Sequence, residues 1–427
     1  MTEKTYPRLG ERVFREVLPC GLPVIVVPRL GISRKMAYFV TDFGSIHRSF
    51  RLEGQDYTVP AGIAHYLEHK MFDMPGRDVS AELAELGANV NAFTSYDLTA
   101  YYFSCTEHFS ESLKLLLEFV STPYFTEESV EKERGIIDQE IGMNVDAPES
   151  VVFERLMEGM YRGHDIRTPI LGTSDTIRKI RAEDLHLCHR GFYVPGNMVL
   201  CVVGDVDPEE VVRVARQVLG DEPRPVAEKL PQPEEDMTCP SDLHCQQMEV
   251  AMPTFQLGFK CEPLGVGREA VLQEVVGDLA AEALFGESSE LYLKLYEQGL
   301  IDQSFGGGFE TVDGCALLTC GGDSYEPVAV RDAIIAQAEK LAAEGVEESA
   351  FRRMKRSAFG RRIRDLDSLD PVCFRMCAYH FSQFDHFDFP EVYESARAED
   401  VQAFLGRVVQ RERSSLSVIE PVKEDVS

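Results

Sequence analysis

The sequence has no long apolar run and little positive charge. Residues 1–16 contain no apolar core of signal-peptide length, and no later run approaches the roughly 18 apolar residues that a membrane helix needs. We therefore expect a cytoplasmic protein without a membrane segment. Only 43 Lys and Arg residues stand against 72 Asp and Glu residues, which gives a net charge of −29 at pH 7. Because a phosphate backbone repels such a surface, we expect no general binding to nucleic acid.

The chain of 427 residues contains 11 cysteines and 10 histidines. The 11 cysteines are odd in number and scattered through apparent strands and helices, as at Cys105 and Cys201, rather than spaced as a disulfide framework. This pattern is typical of a reducing compartment. There are only 10 histidines, so a close pair of them is informative.

The length and one short internal repeat predict two domains. A chain this long exceeds one ordinary hydrophobic core. The sequence RAEDL at 181–185 recurs as RAEDV at 397–401, an offset of 216 residues, and a repeat of that length indicates two related domains. Prolines crowd the acidic stretch between the halves. We therefore predict an N-terminal domain over 1–222, a linker over 223–241 and a homologous C-terminal domain over 242–427.

Hydrophobic patterning predicts a mixed architecture. β-branched and aromatic runs at 22–27, 35–43, 89–95 and 99–105 are typical of strands, and helical patterns occur between and after them. Ser80 is the predicted cap of one helix, over 81–86. The expected fold is α+β, with each of the two domains a mainly antiparallel sheet flanked by helices.

One short stretch carries a metal-ligand pattern. We predict a helix that begins at Pro60 and includes His65, Glu68 and His69. The two histidines are four residues apart, so both imidazoles project from one helix face and can share a metal ion. Together with Glu68 they form H-x-x-E-H, the inverted zinc-protease motif, with two ligands and a carboxylate base. The alternative is two surface histidines on an amphipathic helix.

A long polar helix, predicted from about residue 126 to before Pro148, offers further carboxylates. It contains Glu131, Glu133 and Glu140, and the last two are seven residues, or two turns, apart on one face. A zinc hydrolase needs a third protein ligand, and a second carboxylate often supports a histidine ligand. One glutamate could serve each purpose. The alternative is a solvated helix face.

These residues and several neighbouring segments resemble one known family. The chain is similar to the pitrilysin and mitochondrial-processing-peptidase family of inverzincin metallopeptidases. The similarity is carried by the motifs HYLEH at 65–69, ERGIIDQE at 133–140, GANVNAFTS at 87–95 and FYVPGN at 192–197. It covers most of residues 18–225, and the 216-residue repeat fits the two homologous domains of that family.

The resemblance implies specific roles for these residues. It implies a zinc ion held by His65, His69 and Glu140, with Glu68 as the general base. Glu133 would be a second catalytic carboxylate that orients a histidine ligand. The resemblance also implies that a peptide substrate adds as an extra strand along the edge formed by three residues. These are Asn91, Ala92 and Phe93.

One departure from the family pattern concerns the second domain. There, relatives supply an arginine and, seven residues later, a tyrosine that clamp the substrate. The matching positions here are Tyr296 and Asp302 or Gln303. The resemblance then implies the metal-bearing subunit of a heterodimer with a paralogue that lacks zinc ligands, or else a homodimer. This stretch is also similar to the family branch associated with elongation factor P modification.

Two further interpretations stay open. Some relatives are non-catalytic structural or assembly subunits, and a peptide-binding member that holds zinc but rarely turns over is a third class. Relatives of the structural class usually have eroded metal motifs, whereas all five site residues are present here. We therefore expect a zinc-dependent metalloendopeptidase that cleaves peptides or small unfolded segments.

Overall fold

The computed structural model describes residues 1–422. Its strands are β1 (Thr2–Tyr6), β2 (Glu11–Val17), β3 (Pro23–Pro28), β4 (Lys35–Thr41), β5 (Ser49–Leu52), β6 (Gln55–Thr58), β7 (Asp73–Met74), β8 (Arg77–Asp78), β9 (Asn89–Thr94), β10 (Thr99–Cys105), β11 (Met198–Gly204), β12 (Glu228–Lys229), β13 (Leu243–Met248), β14 (Thr254–Cys261), β15 (Gly306–Val312), β16 (Cys315–Asp323) and β17 (Ser414–Pro421).

Helices connect and cover these strands. The α-helices are α1 (Ile63–Met71), α2 (Val79–Glu85), α3 (Phe109–Ser121), α4 (Glu127–Val145), α5 (Pro148–Met160), α6 (Ser174–Ile177), α7 (Ala182–Phe192), α8 (Pro208–Leu219), α9 (Arg268–Phe285), α10 (Glu290–Glu297), α11 (Pro327–Glu344), α12 (Glu348–Asp365), α13 (Leu369–Phe381), α14 (Phe389–Ser395) and α15 (Ala398–Val408). Short 3-10 helices lie at Asp165–Arg167, Pro195–Asn197, His386–Asp388 and Arg411–Arg413. Within residues 1–422, no helix has the length and apolar character needed to cross a membrane.

The first compact unit is built on a seven-stranded sheet. Its strand order is β1-β2-β3-β11-β4-β10-β9, and every pairing is antiparallel except the parallel pair of β3 with β11. Alternate residues of the central strands, such as Phe39, Tyr101 and Leu200, enter one large core with α1, α3 and α7. Strand β9 lies at the sheet edge, so its outer side is unpaired among the described residues. Helix α1 packs beside this edge strand.

The second unit repeats part of this topology. Its five-stranded sheet has the order β13-β17-β14-β16-β15, with a parallel first pair and antiparallel pairs thereafter. The order and directions match those of β3-β11-β4-β10-β9 in the first unit. The predicted α+β class, with two related and mainly antiparallel sheets flanked by helices, is confirmed.

The compact units are not the two contiguous halves of the chain. The first contains Met1–Ile141, Pro169–Pro231 and Ile363–Phe387, and the second contains the rest of residues 1–422. Helix α5 therefore packs on β14 and β17, although it precedes the central proline-rich stretch. Helix α13 packs on β4 and β11, although it follows that stretch. Each compact unit thus includes a helix from the opposite half of the chain. The domain boundaries at 222 and 242, which were drawn from the sequence, stay a prediction.

The proline-rich stretch is ordered by specific contacts rather than being a bare connection. Strand β12 pairs with β5 in the first unit. In the second unit, the Glu235 carboxylate accepts hydrogen bonds from the backbone N–H groups of Arg162 (2.9 Å), Gly163 (2.6 Å) and His164 (3.0 Å). The buried Lys260 ammonium donates to the same carboxylate at 3.1 Å. Burial would raise the pKa of Glu235, but these donors outweigh it and lower the pKa to about 2.

We expect Glu235→Gln to destabilise the protein by about 1–3 kcal/mol at pH 7, because the buried Lys260 loses its charged partner. The folded-state pKa lies below the ordinary value of 4.5, so this stabilisation is complete above about pH 4.5 and is lost as the pH falls toward 2. Urea denaturation from pH 7 to pH 3 measures the difference between wild type and variant.

The exposed neighbour Glu234 supplies the matched control, Glu234→Gln. The stability gap should shrink on acidification for Glu235→Gln and stay near zero throughout for Glu234→Gln. Equal stability of the two variants at pH 7 would show that the Glu235 contacts contribute nothing measurable.

Candidate metal centre

Helix α1 begins at a glycine that the surrounding backbone requires. Gly62 caps the helix with φ of +88°, a left-handed conformation that glycine adopts without strain. A Cβ atom there would lie 2.4 Å from the carbonyl oxygen of Leu171. The predicted start at Pro60 was wrong, because this turn delays the first helical residue to Ile63. Helix α1 is thereby seated against the 171–172 backbone.

The structure brings the two histidines and one glutamate together. The Nε2 atoms of His65 and His69 lie 3.7 Å and 3.5 Å from Oε2 of Glu140 on α4. One donor atom from each residue lies within 4.8 Å of the others, and this is the one such group of three within residues 1–422. His65 is 7% exposed, so the cluster has a buried inner side. Glu140 is more open to solvent, with 42% of its side chain exposed.

Glu133 contacts the opposite ring nitrogen of His69. Its Oε1 atom lies 3.0 Å from His69 Nδ1, while His69 Nε2 faces Glu140. A carboxylate at Nδ1 fixes the proton there and leaves Nε2 as the free lone pair. In contrast, His65 Nδ1 is buried and has no hydrogen-bond partner among the described residues. Glu133 and Glu140, on one face of α4, therefore lie at opposite nitrogens of the His69 ring.

Burial and neighbouring charges set the protonation of the cluster. Burial, aided by the adjacent His69, lowers the pKa of His65 to about 3, so its ring is neutral near pH 7. Burial also acts to lower the pKa of His69, but the hydrogen bond to Glu133 and the charges of Glu68, Glu133 and Glu140 raise it overall. The same hydrogen bond lowers the pKa of Glu133.

Glu68 points to a different partner, at the end of the edge strand. Thr94 Oγ1 donates a hydrogen bond of 2.8 Å to Glu68 Oε2. Burial raises the pKa of Glu68, although the Thr94 hydrogen bond and the nearby His69 act to lower it. A partly buried carboxylate with a raised pKa is suited to accept and return a proton.

The predicted substrate strand lies at the edge of the seven-stranded sheet. In β9, Asn91, Ala92 and Phe93 pair with Tyr102, Tyr101 and Ala100 of β10 on the inner side. The N–H of Ala92 donates to the side-chain oxygen of Asn91 at 2.9 Å. The Phe93 ring packs against Phe374 of α13, with centroids 5.6 Å apart. The structure thus places the three residues beside α1, and their substrate role stays a prediction.

Two residues of this site were not identified from the sequence. The hydroxyl of the buried Tyr66 donates to the carbonyl of Val130 and so ties α1 to the first turn of α4. Thr94 is the other, through its bond to Glu68. Both lie in segments whose secondary structure was predicted, but each acts across elements that are distant in sequence. A single sequence carries no signal for such pairs.

The residues present fit a divalent metal ion such as zinc. Tetrahedral ligand atoms about 2.1 Å from zinc lie roughly 3.4 Å apart, close to the two Nε2–Oε2 separations. Two imidazoles and a carboxylate are a common catalytic ligand set. Among the described residues, no Lys or Arg forms an ion pair with Glu68 or Glu140, so the carboxylates concentrate negative charge that a cation would balance.

The second unit has no equivalent of this cluster in its counterpart helix. Helix α9 follows β14 as α1 follows β4, and it contains no histidine. At the positions compared above with the family clamp, Tyr296 is 47% exposed and stacks on Tyr292 at 6.0 Å. Asp302 accepts hydrogen bonds from the backbone and hydroxyl of Ser304 at 2.8 Å and 2.6 Å. An arginine and a tyrosine are therefore absent from these positions.

Comparison with known proteins places these features in one family. The family described as "Insulinase (Peptidase family M16)" matches residues 54–174, and that described as "Peptidase M16 inactive domain" matches residues 179–358. The Bacillus subtilis protein named "Uncharacterized zinc protease YmfH" is 35% identical over 428 residues, which cover 97% of this chain and 98% of that protein. The beta subunit of the Caenorhabditis elegans mitochondrial-processing peptidase is 31% identical over 165 residues, 38% of each chain.

Solved structures give the same result. A structure described as an M16-like peptidase from Alicyclobacillus acidocaldarius superposes with a TM-score of 0.93 at 32% identity, over 99% of this chain and 100% of that one. A protease from Helicobacter pylori shares the fold, with a TM-score of 0.80 at 20% identity over 96% of this chain and 100% of that one. With a relative that matches along its whole length, the chain belongs to peptidase family M16.

Proposed function

We propose that this protein is a zinc-dependent metalloendopeptidase that cleaves peptides or small unfolded segments. The observation that carries the proposal is the convergence of His65, His69 and Glu140 beside a general-base candidate, Glu68, at a free sheet edge. Zinc, when bound by the three ligands, supplies Lewis acidity to the reacting carbonyl and water.

The chain's own residues account for the proton transfers. Glu68 takes a proton from the attacking water while the water oxygen bonds to the peptide carbonyl carbon. When the carbon–nitrogen bond breaks, Glu68 returns that proton to the leaving amine. His69 is held for its role by Glu133, which fixes the ring orientation.

The edge strand supports peptide as the substrate class. An extended peptide added to β9 forms main-chain hydrogen bonds that do not depend on its sequence. The Asn91 side chain occupies the Ala92 N–H, so a peptide that uses this donor displaces the Asn91 amide. When no substrate is present, the Asn91 side chain thus satisfies this backbone donor.

We further propose that a second subunit completes the active enzyme. Support comes from Tyr296, and from Asp302 or Gln303, which occupy the positions where the resemblance calls for an arginine and a tyrosine. A paralogous chain without zinc ligands would supply these two side chains. The alternative assembly is a homodimer.

Glu68→Gln should retain zinc and lower kcat by about 10²- to 10⁴-fold, because the amide cannot accept the proton of water. Peptide cleavage and zinc content are measured on the same preparation, with Glu85→Gln on the exposed face of α2 as the control. A Glu68→Gln variant within tenfold of wild type would remove this residue from the role of base.

Glu133→Ala should weaken zinc binding by about 10- to 100-fold, because His69 loses the carboxylate that orients it. Glu131→Ala is the matched control, since Glu131 lies on the same helix but pairs with Arg134. Competition with a chelating dye gives both affinities. Equal zinc affinity in the two variants would contradict the orienting role.

The chain alone should cleave peptides poorly, and addition of the paralogue should restore turnover. Light scattering on the same samples establishes whether each is a monomer, homodimer or heterodimer. Efficient cleavage by a verified monomer would exclude the two-subunit proposal. Peptide binding without products in the mixture would instead favour a binding or assembly protein.

A further inference from the structure

The Glu68 carboxylate has a single side-chain anchor. Within residues 1–422, the bond from Thr94 Oγ1 to Oε2 is its one hydrogen bond. A glutamate side chain has several rotatable torsions, and an unanchored one populates several rotamers. The anchor therefore selects one conformation and leaves Oε1 available.

Thr94 is itself held on a rigid support. It is the last residue of β9 and pairs with Thr99 across the hairpin. The turn that follows is closed by Ser95 N–H to the Leu98 carbonyl (2.8 Å), and Ser45 N–H donates to the Ser95 carbonyl at 3.1 Å. At Gly44, a Cβ atom would lie 2.5 Å from the hairpin backbone, so this neighbouring loop packs directly on the turn.

The side chain of Thr94 also has little rotational freedom. Two heavy atoms on Cβ restrict χ1 of threonine. The hydroxyl also lies at the end of the same strand whose outer edge is open for peptide addition. A peptide bound along β9 is thus bound to the same strand that positions Glu68 through Thr94.

We propose that Thr94 is a positioning residue for Glu68 and aligns this carboxylate with substrate bound along β9. The inference rests on the proposed peptidase function and deepens it. Thr94 acts through Glu68, the one side chain to which its hydroxyl donates among the described residues.

Thr94→Val tests the inference, because valine keeps the branched shape and lacks the hydroxyl donor. We expect kcat to fall about 10- to 100-fold, because a misplacement of about 1 Å in a catalytic site can slow the reaction by about 100-fold. KM and zinc content should stay near their wild-type values, because the strand edge and the three ligands are unchanged. Thr94→Ser, which keeps the donor, should recover most of the lost turnover.

Thr99→Val provides the matched control. Thr99 is the cross-strand partner of Thr94, but its hydroxyl donates to the Phe43 carbonyl at 2.8 Å and not to Glu68. This control removes a hydroxyl from the same hairpin and should affect stability while leaving kcat of the folded fraction close to wild type. The comparison separates loss of hairpin stability from loss of Glu68 alignment.

Crystal structures of zinc-loaded wild type and Thr94→Val give a readout that does not depend on cleavage. We expect one Glu68 conformer in wild type and several, or a displaced one, in the variant. An unchanged Glu68 conformer, a kcat within threefold of wild type, or a Thr94→Ser variant as slow as Thr94→Val would each overturn the inference. If wild type with its partner cleaves nothing, the proposed function fails, and the Glu68 conformers alone decide the role of Thr94.

Discussion

The candidate metal centre depends on how α4 lies against α1. Helix geometry alone places His65 and His69 together, but their third companion belongs to another helix. The bond from the Tyr66 hydroxyl to the Val130 carbonyl fixes where α4 begins relative to α1. Val130, Ile137 and Ile141 then enter the core and fix the rotation of α4. A rotation by one residue, about 100°, would turn Glu140 away from both rings.

The packing of α4 against α1 also explains how one face of α4 presents a carboxylate to each nitrogen of His69. Glu133 and Glu140 are two turns apart, and their carboxylates reach opposite nitrogens of the His69 ring. The His69 ring must therefore lie between Glu133 and Glu140. The buried side chains of Val130, Ile137 and Ile141 hold α4 in the position that this requires. The polar cluster is therefore positioned by residues that have no chemistry of their own.

Local spacing made much of the site predictable from sequence. His65 and His69 share a helix face because they are four residues apart, and Glu133 and Glu140 share one because they are seven residues apart. Thr94 was not predicted, because its bond to Glu68 depends on how β9 lies beside α1. Helix ends were also less certain: Asp78, rather than Ser80, caps α2 through a 3.0 Å bond from the Ala81 N–H. In that case two good capping residues lie two positions apart, and the sequence could not rank them.

The exchange of helices between chain halves has a consequence for synthesis on the ribosome. Strands β3, β4, β10 and β11 are all complete by residue 204, yet α13, which packs on β4 and β11, ends at residue 381. Translation at about 5–20 residues per second leaves about 9–35 s between these events. During that interval the nascent sheet exposes an apolar face that includes Cys201, which the finished protein buries under α13. The sheet of the first unit is therefore synthesised well before the helix that covers this face.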